Sequence, residues 1–171
     1  MDRNRKNELL EKKLQLKEEV RKKELKKRIK YHIDFLESNG FTYKINYNHE
    51  YLDWMQTAFP MRKKDGYFGL HDYQIDVNDI ADNCKTIHFK EETELKSILE
   101  KELLKYYSIN DEIVICVNGG DPELIISIET FLTDQLQFLN NPEVWLILRD
   151  KSMVIEYIFD RKSICFIRNV T

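Results

Sequence analysis

Four groups of side chains in this chain have types and spacings that could do chemistry. The first is a run of carboxylates, Asp72, Asp76, Asp79 and Asp82. Oxygen donors at short intervals are what a calcium loop uses, but the helix–loop–helix pattern also needs Gly at its sixth position and Glu at its twelfth, and both are missing. The second group, His71, Cys84 and His88, carries zinc-type donors. Cys84 and His88 have a Cys-x3-His spacing, yet no second close pair completes a four-ligand set. The third is Glu156, a lone acid inside the apolar run 153–159. Buried, it would titrate high and could move a proton. The ordinary expectation is that it faces solvent or pairs with a cation such as Lys44 or Arg149. The fourth is the Gly-rich loop 118–122, Asn-Gly-Gly-Asp-Pro. It lacks the spacings of phosphate-binding loops, and Asp121 sets a negative charge where an anion would sit.

None of these groups supplies a nucleophile beside a base, so an enzyme is the least supported class, and no cofactor or metal is implied. The aspartates read better as a solvated patch facing a cationic partner. On a helix, positions 72, 76 and 79 would share one face. Tyr67 precedes the run and Tyr73 lies within it, and tyrosine is favoured at interface centres. Nine of the twenty aromatics fall between residues 41 and 73. Packing of the N-terminal helix accounts for many of them.

The elements that would position these groups start with a long charged helix. Residues 5–38 lack Gly and Pro and are rich in Leu, Lys, Glu and Arg, all good helix formers. Glu8–Lys12, Glu18–Lys22, Glu19–Lys23 and Glu24–Arg28 are i,i+4 pairs with the acid first, each adding about 0.2–0.5 kcal/mol to an exposed helix. Asn39-Gly40 is a stop signal. Leu25, Ile29, Ile33 and Leu36 recur at helical spacing, so the last turns are expected to dock, whereas residues 11–24 are too poor in apolar side chains for a heptad seam. Lys22, Lys23, Lys26, Lys27 and Lys30 form a basic cluster that could neutralise phosphates, although glutamates are interleaved with them.

The remainder, 41–171, is read as a single α+β domain. Strict alternation over 41–47 predicts a strand, and Asn48 is placed to cap a short helix after it. Residues 86–89 suggest another short strand. An amphipathic helix is expected over 91–107 and a buried strand over 112–117. Residues 123–139 are ambiguous: Leu124, Ile128, Leu132, Leu136 and Leu139 fit one helix, capped by Asp121 with Pro122 as its first residue, while Leu124, Ile126 and Ile128 fit an alternating strand. The β-branched Ile125-Ile126 favours a strand over 123–129 with Glu123 on the outer face, then a helix over 130–139. The apolar runs 144–149, 153–159 and 163–168 are punctuated by polar turns and form an antiparallel meander. The expected architecture is a mainly antiparallel sheet of five to six strands, with 41–47 a possible addition. Because 144–148 is apolar on both faces, layers must cover the sheet on both sides.

Charge divides the chain. Residues 1–30 hold 13 Lys/Arg against 6 Asp/Glu, a net of +7, while 31–171 hold 14 against 24, a net of −10. The three cysteines, Cys84, Cys116 and Cys165, are odd in number and far apart, so no disulfide framework is expected and a reducing cytoplasm is the simplest setting. The basic N-terminus has no apolar core of a secretory signal, and no run is long enough to cross a membrane. Low Gly and Pro with much Lys, Asn and Ile suggests a bacterial or phage chain. The expectation that follows is a non-catalytic protein-binding module, an inhibitor, antitoxin or immunity-type protein that neutralises a basic toxin or nuclease through its acidic body. The alternatives are a nucleic-acid-associated protein using the basic helix, or an uncharacterised enzyme.

Overall fold

The computed structural model describes residues 3–63, 73–117, 120–140, 144–158 and 161–169. The expected single N-terminal helix is two: α1 (Arg3–Arg28) and α2 (Lys30–Ser38). The break is at Ile29, with φ −101° and ψ 17°. Its carbonyl accepts from both His32 and Ile33 N–H. Ile29, Ile33 and Leu36 are buried in the core, on the one face where their i, i+4, i+7 spacing places them. Gly40, at φ +69°, ends the helix in the left-handed conformation that glycine adopts without strain.

Seven strands build one antiparallel sheet, more than the five to six expected. They are β1 (Lys44–Asn46), β4 (Cys84–His88), β5 (Glu112–Val117), β6 (Glu123–Ser127), β7 (Val144–Leu148), β8 (Met153–Ile158) and β9 (Ser163–Arg168). Their order is β1-β6-β5-β7-β8-β9-β4. The meander is β7-β8-β9. The extra strand is β4, which pairs with β9 at the far edge. Only residues 44–46 of the alternating 41–47 segment pair with β6. The ambiguous stretch 123–139 is β6 followed by two short helices, α5 (Ile128–Thr133) and α6 (Gln135–Leu139), split where Asp134 leaves helical geometry. The loop before Glu123 therefore joins an antiparallel hairpin and starts no helix.

Alternation along the strands sorts the core into two. Ile113, Ile115, Leu146 and Ile155 face a layer of α2, α4 (Glu92–Leu103), α5 and α6, meeting Leu36, Leu99, Phe131 and Phe138. Helix α4 stops four residues short of the expected 107. Val114, Ile125, Ile147, Val154 and Ile167 face the opposite layer. That second layer is α3 (Glu50–Ala58), the small hairpin β2 (Met61–Lys63)–β3 (Tyr73–Ile75), and a 3₁₀ stretch Val77–Asn83 kinked at Ile80. Both faces are covered, as the two-sided apolar run of β7 requires. Each large aliphatic so buried contributes about 1.5–3 kcal/mol.

Candidate functional site

On the face beneath α3 and β3, one line of residues crosses the sheet. Strand registry sets Asn46 opposite Glu123, Cys116 opposite Trp145, Trp145 opposite Glu156, Glu156 opposite Cys165, and Cys165 opposite Thr86. The Cys116 thiol reaches Glu123 Oε1 at 3.9 Å and links the two halves. Two carboxylates, two cysteines and an indole thus form a polar row in an otherwise apolar layer.

Each carboxylate holds backbone from the covering layer. Glu123 is 1% exposed. Its Oε1 accepts from the N–H groups of Tyr51 and Leu52, both at 2.8 Å, and Asn46 Nδ2 donates to Oε2 at 2.6 Å. Those two N–H groups belong to the first turn of α3. The cap expected from Asn48 therefore comes from the sheet; the residue before the helix is His49, left-handed at φ 54°, with no capping side chain. A carboxylate also suits the positive end of a helix. Burial raises the Glu123 pKa, opposed by the Leu52 and Tyr51 N–H groups. Burial, with Glu123 adjacent, pushes the Cys116 thiol well up, so it stays an unreactive core thiol.

Glu156 is 4% exposed and neither faces solvent nor pairs with Lys44 or Arg149. Its Oε1 accepts from Trp145 Nε1 at 3.0 Å and from Ile75 N–H at 3.1 Å. Lys44 and Arg149 both go to Glu112, at 2.7 and 2.8 Å. Glu123 on β6 and Glu156 on β8 are three strand spacings apart, about 14 Å. That is too far for two carboxylates to work as an acid–base pair on one bond.

Cys84 and Cys165 form a disulfide with Cα atoms 6.7 Å apart. This corrects the expectation of three unpaired thiols. The two lie 81 residues apart in sequence and become neighbours only through the β4–β9 pairing, which no spacing rule reports. With Cys84 so bonded, the imagined zinc set of His71, Cys84 and His88 loses its thiolate. His88 is exposed on edge strand β4, and His71 lies outside the described residues. Among the described residues no cluster of three His, Cys, Asp or Glu side chains could hold a metal.

The acidic run is not one helix: β3 ends at Ile75 and the 3₁₀ stretch begins at Val77, so Asp76 stands between a strand and the turn that carries Asp79 and Asp82. Asp76 is half-buried and accepts from Asn78 N–H at 3.2 Å and from Asn78 Nδ2 at 2.9 Å. Asp82 is exposed. Asp72 and Tyr67, and the side chains of Asp79 and Tyr73, lie outside the described residues. What sequence reading missed is how this segment is held. At its start, Ile75 N–H is bonded to Glu156, and Asp76 N–H to the Pro60 carbonyl at 2.7 Å. At its end, Cys84 is bonded to Cys165. Glu156 and Cys165 are direct cross-strand partners, so both ends of residues 76–83 are fixed to one point of the sheet.

The basic cluster is partly neutralised. Lys27 pairs with Glu24 at 2.7 Å, Lys22 with Glu18 at 3.8 Å, and Lys30 with Asp34. Lys22 also lies over the Tyr47 ring. Lys23 and Lys26 are exposed.

A further titrating group missed from sequence is His32 on α2, 5% exposed and stacked on Phe138 at 5.6 Å. Burial lowers its pKa from the usual 6.5, opposed by the Gln137 carbonyl and by Asp121. Its Nδ1 has no hydrogen-bond partner. Neutral His32 therefore stabilises the fold above pH 6.5, and that contribution is lost as pH falls through the lowered value. In urea titrations, the stability of the native chain relative to His32→Phe should fall as pH drops below 6.5, by at most about 1.4 kcal/mol per pH unit. A pH-independent difference would count against the assignment.

Compared with known protein families and with curated proteins, the chain matches none.

Proposed function

We propose that this chain is a non-catalytic protein-binding module of the inhibitor or immunity type, whose acidic body receives a basic partner protein. One observation carries the reading: the acidic segment 76–83 is held at both ends, by Glu156 and by the disulfide, on adjacent strands. A surface fixed before its partner arrives loses less conformational entropy on binding. The body's net of −10 would draw a cationic protein and speed encounter. The buried acids support the same reading, because they act as anchors of backbone and stand too far apart for paired acid–base chemistry. In this reading the partner is a basic toxin or nuclease; the reducing cytoplasm expected from unpaired thiols loses its ground with the Cys84–Cys165 disulfide, which belongs in an oxidising compartment. No helix among the described residues is long and apolar enough to cross a membrane.

The test is association kinetics with the partner captured from the native cell and identified. Reversing Asp76, Asp79 and Asp82 to Lys should slow the on-rate at low salt by about tenfold or more and flatten its salt dependence. A captured partner that is not basic, or an on-rate indifferent to the reversal, would rule the proposal out.

A further inference from the structure

The two cysteines of the disulfide stand in unlike surroundings. Cys165, on β9, is 1% exposed. Cys84 is half-buried and opens β4, an edge strand paired with β9 on one side only. Thr86, the cross-strand partner of Cys165, is exposed. Its hydroxyl donates to Cys165 Sγ at 3.4 Å and lies 3.8 Å from Cys84 Sγ. One sulfur thus faces the edge of the sheet, and the other lies inside it with a hydrogen-bond donor already in place.

The bond also pins a weakly packed element. No side chain of β4 is buried: Cys84 and Ile87 are half-buried, and Lys85, Thr86 and His88 are exposed. Besides the disulfide, the strand has its ladder to β9 and the Lys85 Nζ contact with Glu102 at 2.5 Å. An edge strand with so little apolar burial belongs to the low end of local stability.

We propose that Cys84 is a thiol-exchange site, open in the folded chain to a dithiol reductant, and that the exchange unpins the acidic segment 76–83. A thiolate of the reductant attacks Cys84 Sγ. That forms a mixed disulfide and expels Cys165 as a thiolate, which keeps the Thr86 hydrogen bond and then takes a proton from solvent. The second thiolate of the reductant attacks its partner sulfur in the mixed disulfide and releases Cys84. The reductant leaves as a disulfide, oxidised by two electrons, and the chain keeps two thiols. Afterwards the start of the segment is still held, by Ile75 N–H on Glu156 and Asp76 N–H on the Pro60 carbonyl. Its end is left to the β4 ladder. The redox state of the surroundings then sets how far the surface proposed above is formed before its partner arrives. That consequence rests on the partner reading; exchange and loosening are measured on the chain alone, so either can fail without the other.

The test is thiol release from the native full chain with dithiothreitol as the probe, followed by acid quench, alkylation and mass spectrometry. Attack on the folded chain gives a rate proportional to reductant and unchanged by guanidinium below the unfolding transition. A rate that climbs steeply with guanidinium, or levels off at the unfolding rate, means that reduction waits for global unfolding and overturns the proposal. With glutathione as a monothiol, the trapped adduct should sit on Cys84; an adduct on Cys165 overturns the assignment. Thr86→Val should slow release about fivefold, the rate equivalent of one hydrogen bond, while Thr86→Ser, which keeps the hydroxyl, releases at the native rate. Equal rates for all three chains would remove Thr86 from the exchange. Amide exchange over 76–83 should rise by about tenfold or more in the reduced chain and return on reoxidation. Unchanged protection there would show that the bond does not pin the segment, and that part of the proposal would fall.

Discussion

Reduction of the Cys84–Cys165 disulfide is expected to lower the unfolding free energy by about 4.5 kcal/mol. The bond closes a segment spanning 81 residues, and the loop-entropy relation gives a value of that size for so long a loop. A domain of this length has a total stability of about 5–15 kcal/mol, so the change is a large fraction of the whole. Cys84→Ser is the cleaner variant, since Cys84 is half-buried whereas Cys165 is 1% exposed and a serine there would bury a hydroxyl. Guanidinium titrations should show a midpoint that drops on adding dithiothreitol, while Cys84→Ser starts at the lower midpoint and ignores the reductant. Equal midpoints for the native chain with and without reductant would refute the assignment. The change should be felt first at the sheet edge. β4 has a paired strand on one side only, β9, and the disulfide joins those two strands where the acidic segment ends. Amide exchange over residues 76–88 should therefore rise more than in β5 or β7.

Elements whose pattern depends only on neighbours in sequence were legible. The meander β7-β8-β9 follows from three apolar runs separated by polar turns, and α4 from its i,i+3/i+4 stripe. The two-sided burial of the sheet follows from the unbroken apolar run of β7. What depended on distant partners was not legible. Ile29 to Leu36 announced docking, yet their spacing suits an unbroken helix equally well, and nothing local required the break at Ile29. Glu123 alternates with Leu124 and Ile126, which correctly places it on the opposite face. That face is not outside, because α3 covers it. The two-sided burial argued for β7 applied equally to β6 and would have flagged Glu123 as buried. Glu156 drew attention as an interruption, but its partners, a Trp145 indole and the Ile75 amide, come from another strand and another layer. The disulfide was hidden for the same reason, since it needs β4 to be seen as a member of the sheet.

Removing the Glu123 carboxylate is the second change with a large expected effect. Glu123→Ala leaves three donors without their acceptor: the Tyr51 and Leu52 N–H groups and Asn46 Nδ2. An orphaned buried donor costs about 1–3 kcal/mol. Some relaxation at the first turn of α3 offsets part of this, so the net loss should be about 3–5 kcal/mol. Glu123→Gln should be far milder, about 1 kcal/mol, because its carbonyl can still accept from both backbone groups while its amide nitrogen faces the Asn46 donor. The pair of variants therefore separates loss of the acceptor from loss of the charge. The charge has its own signature. Burial raises the folded pKa of Glu123 above its usual 4.5, so its favourable contribution is complete below pH 4.5 and declines as pH rises through the raised value. The stability of the native chain relative to Glu123→Gln should fall over that rise, opposite in sign to the His32 effect, and the two differences can be read separately from their own variants. Protection of the Tyr51 and Leu52 amides should collapse in Glu123→Ala and persist in Glu123→Gln. Helix α3 has no side-chain cap of its own, so an alanine variant that unfolds within about 1 kcal/mol of the native chain would mean that apolar packing alone holds α3 on the sheet.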